Sequence, residues 1–426
     1  MKRYTVAIVG LGSRGLHTYA PYQEKFPERM KIVAVADIDA EKVRYAKERY
    51  SVPDEMCFSS AESLLEREKL ADVIIIATQD RQHRAHALKA LERGYDILLE
   101  KPVAVTADDC IEIRDAAHKA GRTVTVCHVL QYTAFYRKIK ELIRSGAIGE
   151  PVTVNASENV SYWHQAHSFV RGNWRNDNIE SPMILQKCCH DFNILCWLLD
   201  KNCVSVSSVG SLKYFKESNA PKGSAARCVD CQYVQSCPYS AVKIYLDNSD
   251  IGYRNGNRGW PCDILAENPT EEKLLDALRT GPYGRCVFRC DNNVVDHQIV
   301  NMLLDDDVTA SLTMTAFTAY NYRDIKVMGT LGEIVGDQRL NTVTVTPFGG
   351  KSVTYDITKL TDDLSGHGGG DNHMMTEMFD ALDAGGGVSS SIDDAIASHL
   401  IAFAAEKSRL RGGEKTDLAE FDKISK

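Results

Sequence analysis

The segment Gly10-Leu11-Gly12-Ser13-Arg14-Gly15 constrains this chain more than any other. It follows a short apolar run at residues 5–9 and opens a stretch of helical spacing at 13–26. Glycines at these intervals suit a strand, a tight turn and a helix: Gly10 permits the turn, Gly12 lets a phosphate approach the backbone, and Gly15 lets helix and strand pack closely. A second β-branched run, 31–36, ends at Asp37, 22 residues beyond Gly15. That context completes a dinucleotide-binding fingerprint. The helix N-terminus, with Ser13 and Arg14 in its first turn, offers N–H groups and partial positive charge to a pyrophosphate. Asp37 can accept hydrogen bonds from both adenosine ribose hydroxyls and repels a 2′-phosphate, so NAD is expected over NADP; Arg14 is the residue that could soften the preference.

The units that follow repeat the pattern. Residues 72–77 are nearly all apolar, as in a parallel strand buried on both faces. Helical spacing at 40–49, 81–93 and 107–120 alternates with strands at 95–99 and 123–127. This predicts a doubly wound parallel Rossmann sheet over residues 1–125. From about 126 the texture changes. Helices are predicted at 134–145 and 183–199, and strands at 152–158, 204–215, 293–304, 308–316, 323–328 and 342–347. In one of them Val308, Ala310, Leu312, Met314 and Ala316 alternate with Thr309, Ser311, Thr313 and Thr315, giving an apolar and a hydroxyl-lined face. Residues 126–426 therefore read as an α+β domain with a large, mostly antiparallel open sheet. It carries a Cys-rich insertion at about 216–291 and helices at 371–383 and 391–409. An open sheet has a face that needs cover, so a homo-oligomer is expected.

Composition excludes several alternatives. The chain has 426 residues, 44% hydrophobic and 25% charged, as ordinary globular proteins do. Its net charge of −8 argues against a nucleic-acid partner. No apolar run approaches the ~20 residues of a membrane helix, and the N-terminal run ends at Val9, too short for a signal peptide. A cytoplasmic location follows as the expectation.

Glu100-Lys101-Pro102 comes directly after a predicted parallel strand, where ligands of such sheets bind. With the glycine loop, Ala77-Thr78 followed by His83, Trp174-Arg175, a helix carrying His190, and Gly329-Thr330-Leu331-Gly332-Glu333, it resembles the Gfo/Idh/MocA group of glucose–fructose oxidoreductase and inositol dehydrogenase. The resemblance covers nearly the whole chain outside the insertion. It implies a two-domain enzyme whose open sheet walls the active site. It also implies hydride transfer between nicotinamide and a hydroxyl-bearing carbon of a sugar, glycoside or cyclitol. Thr78, His83, Glu100, Lys101, Trp174 and Arg175 then belong to the cofactor end, and the Lys101–Pro102 bond is expected to be cis. Lys101 takes the alcohol proton as hydride leaves the carbon, and His190 is its acid–base or hydrogen-bonding partner. Inositol dehydrogenase-like members carry Asp, three residues, His, two residues, Asp on that helix. Here those acidic positions hold Gln186 and Asn193, so their proton relay does not carry over unchanged. Lys187 shares the helix face of His190.

Other candidates surround this centre. Trp163 and His164 are expected to contact a carbohydrate, since aromatic faces and polar tips suit sugar rings; His128, Lys187 and His297 are further candidates, and the resemblance of residues 366–371 to NAD-dependent glycosidases implies the same of His367. Asp296 and His297 alternate on a strand, so only one can line the pocket. Asp371 suits a helix cap. The segment 366–371 resembles one in NAD-dependent glycosidases of the same superfamily, which keeps open an NAD-recycling glycosidase or epimerase; a non-enzymatic NAD-binding regulator is the remaining alternative. Thirteen cysteines in a reducing compartment are free thiols, metal ligands or catalytic groups rather than structural disulfides. Cys228, Cys231 and Cys237, with Cys286, Cys290 or Cys262 as fourth ligand, are candidates for a structural zinc.

Overall fold

The structure, a computed structural model, describes residues 2–422. Six parallel strands form the first sheet: β1 (Tyr4–Val9), β2 (Met30–Ala36), β3 (Cys57–Phe58), β4 (Val73–Ile76), β5 (Asp96–Leu99) and β6 (Val124–Val126). Their order is β3-β2-β1-β4-β5-β6, the doubly wound arrangement with its crevice where the order reverses beside β1. Every residue of β4 is fully buried, which is why its sequence is a continuous aliphatic run. Helix Ala107–Ala120 starts on the Thr106 hydroxyl, which accepts from the Asp109 N–H, and stops at Gly121 in a left-handed conformation.

The second sheet has nine strands: β7 (Pro151–Ser161), β8 (Cys203–Ser211), β9 (His297–Leu304), β10 (Thr309–Thr318), β11 (Tyr322–Gly329), β12 (Gly332–Asp337), β13 (Thr342–Pro347), β14 (Val353–Asp356) and β15 (Thr416–Asp417). They lie in the order β14-β13-β12-β11-β7-β10-β9-β8-β15. Only the β7–β10 pair is parallel among the described pairings. The expected alternation holds: Ala310, Leu312 and Met314 are buried, and the hydroxyl positions between them face outward. Helix Met183–Leu199 packs on the inner face, where Phe192 and Leu195 meet Leu312, Met314 and Val327. Each such fully buried side chain contributes about 1.5–3 kcal/mol.

Two features go beyond the expectation. Helices Gly370–Ala384 and Ile392–Leu410 return to the first sheet: Met374, Met378 and Phe379 join Tyr4, Ile8 and Tyr22 in one core cluster, and Ile392, Ala395 and Ile396 join another. The Cys-rich segment connects β8 to β9, which are antiparallel neighbours with Ser211 opposite His297. It folds around its own aromatic cluster, Phe215, Tyr239, Tyr245 and Phe288, seated on Ala166 and Val170. No helix among the described residues is long and apolar enough to cross a membrane.

Candidate active site

The glycine loop has the geometry its sequence demands. Gly10 has φ +87°, and a Cβ on it would lie 2.4 Å from the Ala77 carbonyl oxygen. A Cβ on Gly15 would lie 2.0 Å from the Gly10 oxygen, whereas one on Gly12 would meet nothing within 4 Å. Gly10 and Gly15 thus permit packing, while Gly12 borders open space where a pyrophosphate can reach the backbone. Asp37, at the end of β2, accepts from the Leu11 N–H at 2.5 Å and the Asp39 N–H at 2.8 Å. Its remaining lone pairs suit ribose hydroxyls. These residues fit a bound NAD.

Arg14 has another task than softening the cofactor preference. Its guanidinium bonds Glu100 at 2.5 Å, Asp371 at 2.7 Å and the Tyr19 hydroxyl. Burial opposes ionisation of Glu100, but Arg14 and Lys101 overcome it and hold the carboxyl below its ordinary value. Asp371 is held low in the same way by Arg14 and His367. Its carboxylate therefore serves this network, and no side-chain cap forms on its helix. The network joins the glycine loop, the Glu100 turn and the His367 segment.

Lys101 stands at the end of β5, and its bond to Pro102 is cis. His83 braces this turn: Nδ1 lies 2.7 Å from the Pro102 oxygen and Nε2 3.1 Å from the Thr78 oxygen. Both ring nitrogens are thus engaged by backbone, which makes His83 a support of the cofactor turns. The Thr78 hydroxyl pairs with His86 at 3.0 Å. The Lys101 ammonium donates to the Gln186 carbonyl at 2.8 Å. Burial, then the charge of Lys101, then His128, hold His190 neutral, well below the ordinary histidine range. Its Nδ1 is buried without a hydrogen-bond partner among the described residues. His128 packs edge-on behind it at 5.3 Å, fully buried, and so backs His190 from the core side.

Beside them lies a buried charge cluster. Lys187 pairs with Glu158 at 3.3 Å, and Arg323 reaches Glu158 at 2.6 Å and Asp191 at 2.7 Å. Burial, aided by Arg323 and Lys101, lowers the Lys187 ammonium's pKa against the pull of Glu158. Burial pushes the Asp191 carboxyl up despite Arg323. His164 closes this side, with Nδ1 3.0 Å from the Asn321 amide oxygen; burial and then Lys187 hold it neutral. Asn193, one of the substituted acidic positions, accepts from Gln131 at 2.6 Å.

Several expected residues take other places. Trp174 donates to Asp80 at 3.2 Å and packs on the core. Arg175 is committed to Asp291 at 2.7 Å, where the insertion returns. His297 lies on the outward face of β9 with its ring on Asp296, while Gln298 points inward; the strand's parity removes His297 from the pocket. Asp296 is buried and ties down the Lys213 and Tyr214 N–H groups. His367 bonds Asp371 at 3.0 Å, with its ring 6.5 Å from that of His190. Trp163 is buried against His164 and Trp260.

The zinc expectation is corrected. Cys228, Cys231, Cys237 and Cys286 do line one small apolar pocket. Yet no group of three or more His, Cys, Asp or Glu among the described residues is drawn together as a metal would require. Cys262 is spent on the Tyr245 and Ile251 carbonyls, and Cys290 on that of Cys286. The insertion is pinned instead by Arg171, fully buried, which donates to the Arg285 oxygen at 2.7 Å, the Tyr239 oxygen at 2.8 Å and the Cys228 sulfur at 3.5 Å.

Glu158, Arg323 and Trp260 were not singled out from the sequence. Glu158 carried a signal: it occupies an inward position of β7 in register with Val154 and Val160, where a charge requires a partner.

Comparison with known proteins agrees with this architecture. Residues 4–128 match the oxidoreductase family's NAD-binding Rossmann fold, and residues 140–415 match its C-terminal alpha/beta domain. The chain belongs to the Gfo/Idh/MocA oxidoreductase family. It is 24% identical to the Bacillus subtilis protein YteT over 390 residues, 88% of each chain. It is 30% identical to an inositol 2-dehydrogenase of Burkholderia multivorans over 245 residues, 56% of this chain and 64% of that one. Among solved structures, an Agrobacterium radiobacter oxidoreductase in complex with NAD+, L-tartaric acid and magnesium superposes with TM-score 0.70 at 15% identity, covering 98% of this chain and 99% of the other. An inositol dehydrogenase homologue from Azotobacter vinelandii complexed with NAD+ gives TM-score 0.70 at 16% identity, covering 98% and 97%.

Proposed function

We propose that the protein is an NAD-dependent oxidoreductase that moves a hydride between nicotinamide and a hydroxyl-bearing carbon of a sugar, glycoside or cyclitol. The carrying observation is that Lys101, bonded to the Gln186 carbonyl, stands against the helix that bears Lys187 and a neutral His190 with an unpartnered Nδ1, and that His367 joins His190 to the Asp371–Arg14 pair of the glycine loop. The similarity to inositol 2-dehydrogenases supports a polyol substrate. Bound NAD would supply the hydride acceptor, and Asp37 favours it over NADP. The reacting hydroxyl lies between Lys101 and His190. Lys101 relays the alcohol proton, passing one of its own to His190, neutral through burial, as it takes that of the hydroxyl. Lys187, Glu158 and Arg323 supply donors and acceptors for neighbouring hydroxyls.

Lys101→Met should keep NAD affinity and lose about 10²–10⁴-fold in turnover, the worth of general acid–base help. The assay is a panel of sugars, glycosides and cyclitols with NAD, followed by NADH absorbance and by product analysis. Accumulating NADH supports the dehydrogenase. Product without NADH supports the NAD-recycling reading, which the approach of His367 to His190 favours. Parent-like turnover by Lys101→Met would remove the lysine from the chemistry.

A further inference from the structure

The insertion brings one aromatic side chain to the edge of this site. Trp260 packs its indole against Trp163 at 5.1 Å, His164 at 5.0 Å and His167 at 5.4 Å between ring centroids. His167 is fixed in turn by its bond to the Tyr245 hydroxyl at 2.8 Å and by stacking on Tyr283 at 4.8 Å. The indole is therefore held in one orientation by groups that are themselves immobilised. It nevertheless remains 37% exposed. The ring it leans on, His164, bonds Asn321, two residues before Arg323, and Arg323 holds Glu158, the partner of Lys187, together with Asp191. The exposed indole thus stands on the outer side of the ring that borders the charge cluster.

A rigid, exposed aromatic beside a polar site is the chemistry that recognises a sugar ring, whose C–H face stacks on the indole.

We propose that Trp260 is the platform of a second sugar subsite, so that the substrate carries at least two rings, one at Lys101 and His190 and the next stacked on the indole. This rests on the carbohydrate reading above and narrows it to glycosides of disaccharide size or longer. A single-ring polyol would fill the reacting end and leave the indole in water.

The test is calorimetric binding to the NAD-loaded protein of matched pairs: glucose with maltose and cellobiose, galactose with lactose, xylose with xylobiose, mannose with mannobiose, galacturonate with digalacturonate. One pair should show the two-ring form binding about tenfold or more tighter, the scale of one good aromatic contact plus the apolar area it covers. Trp260→Ala should collapse that ratio towards one, and Trp260→Phe should keep most of it, with NAD affinity and melting temperature reporting that both variants are folded. A ratio near one in the parent for every pair that binds, or a ratio that survives Trp260→Ala, overturns the second subsite and leaves the oxidoreductase reading standing. Binding of neither member of any pair overturns the carbohydrate reading, and this inference with it.

Discussion

His399 should couple acidity to the integrity of the Lys101–Pro102 turn. It is fully buried in helix Ile392–Leu410. Its Nε2 accepts from the Val103 N–H at 2.9 Å, and its Nδ1 donates to the Ala395 carbonyl at 2.6 Å. A second proton on Nε2 would face the N–H of Val103, two residues after Lys101. Burial, with Lys101 and His83 adding repulsion, lowers its pKa from an ordinary 6.5 to about 4. The folded protein thus refuses a proton that the unfolded chain accepts. The stabilisation is complete above 6.5 and is lost as pH falls through the folded value near 4. At about 1.36 kcal/mol per tenfold in proton affinity, the loss is about 2 kcal/mol by pH 5 and about 3 kcal/mol below pH 4. His399→Gln can still accept from Val103 but carries no titrating site. Urea unfolding followed by circular dichroism, at constant ionic strength, should find the variant weaker than the parent at pH 8. The gap should then shrink by about 2 kcal/mol at pH 5. Other buried histidines, His167 among them, steepen the acid limb of both proteins equally, so the difference isolates His399. A gap that stays constant or widens on acidification would refute the reasoning.

The cofactor end makes a separate prediction. Asp37→Ala should narrow the preference for NAD over NADP, measured as the ratio of dissociation constants; tighter NADP binding by the parent would contradict the role given to Asp37. Arg171→Met should cost about 3 kcal/mol or more, because it strands the Arg285 and Tyr239 carbonyls at about 1–3 kcal/mol each. Limited proteolysis should then cut first within 212–296, and cleavage elsewhere would count against Arg171 as the pin of the insertion.

The first sheet was legible because its signals are local. Glycine spacing, a fully apolar β4 and the residue following each strand are visible within a few positions, and Gly10, Gly15, Asp37 and Lys101 stand where those signals place them. The long strands of the second sheet were legible through their alternation, and so was the inner helix. Strands β12 and β14 were missed: β12 carries two glycines, and β14 is largely exposed, so neither shows a clean apolar face. The return of the last two helices to the first sheet was invisible, since amphipathic spacing says which face is buried and not against what. The same limit applies to side chains. Whether Arg175 meets a cofactor or Asp291, and whether four cysteines converge, depends on contacts between segments far apart in sequence. The Glu158–Arg323–Asp191 cluster joins three elements and could be anticipated only as an unexplained charge on a buried strand face.

Because β8 and β9 are already side by side, with Ser211 opposite His297, the long excursion between them requires no change of strand register. Lengthening such a connection is thermodynamically mild. Each doubling costs about 0.6 kcal/mol in closure entropy, so about four doublings from a short turn cost roughly 2–3 kcal/mol, which the segment's own aromatic core can offset. The excursion is therefore separable from the parallel sheet: its anchors, Arg171 on the Arg285 and Tyr239 carbonyls and Arg175 on Asp291, lie on the segment after β7, whereas the glycine turn and the Lys101–Pro102 turn lie on the first sheet. A chain built this way can vary its excursion, provided Arg171 and Arg175 keep partners, without touching the strands that carry Gly10 and Lys101.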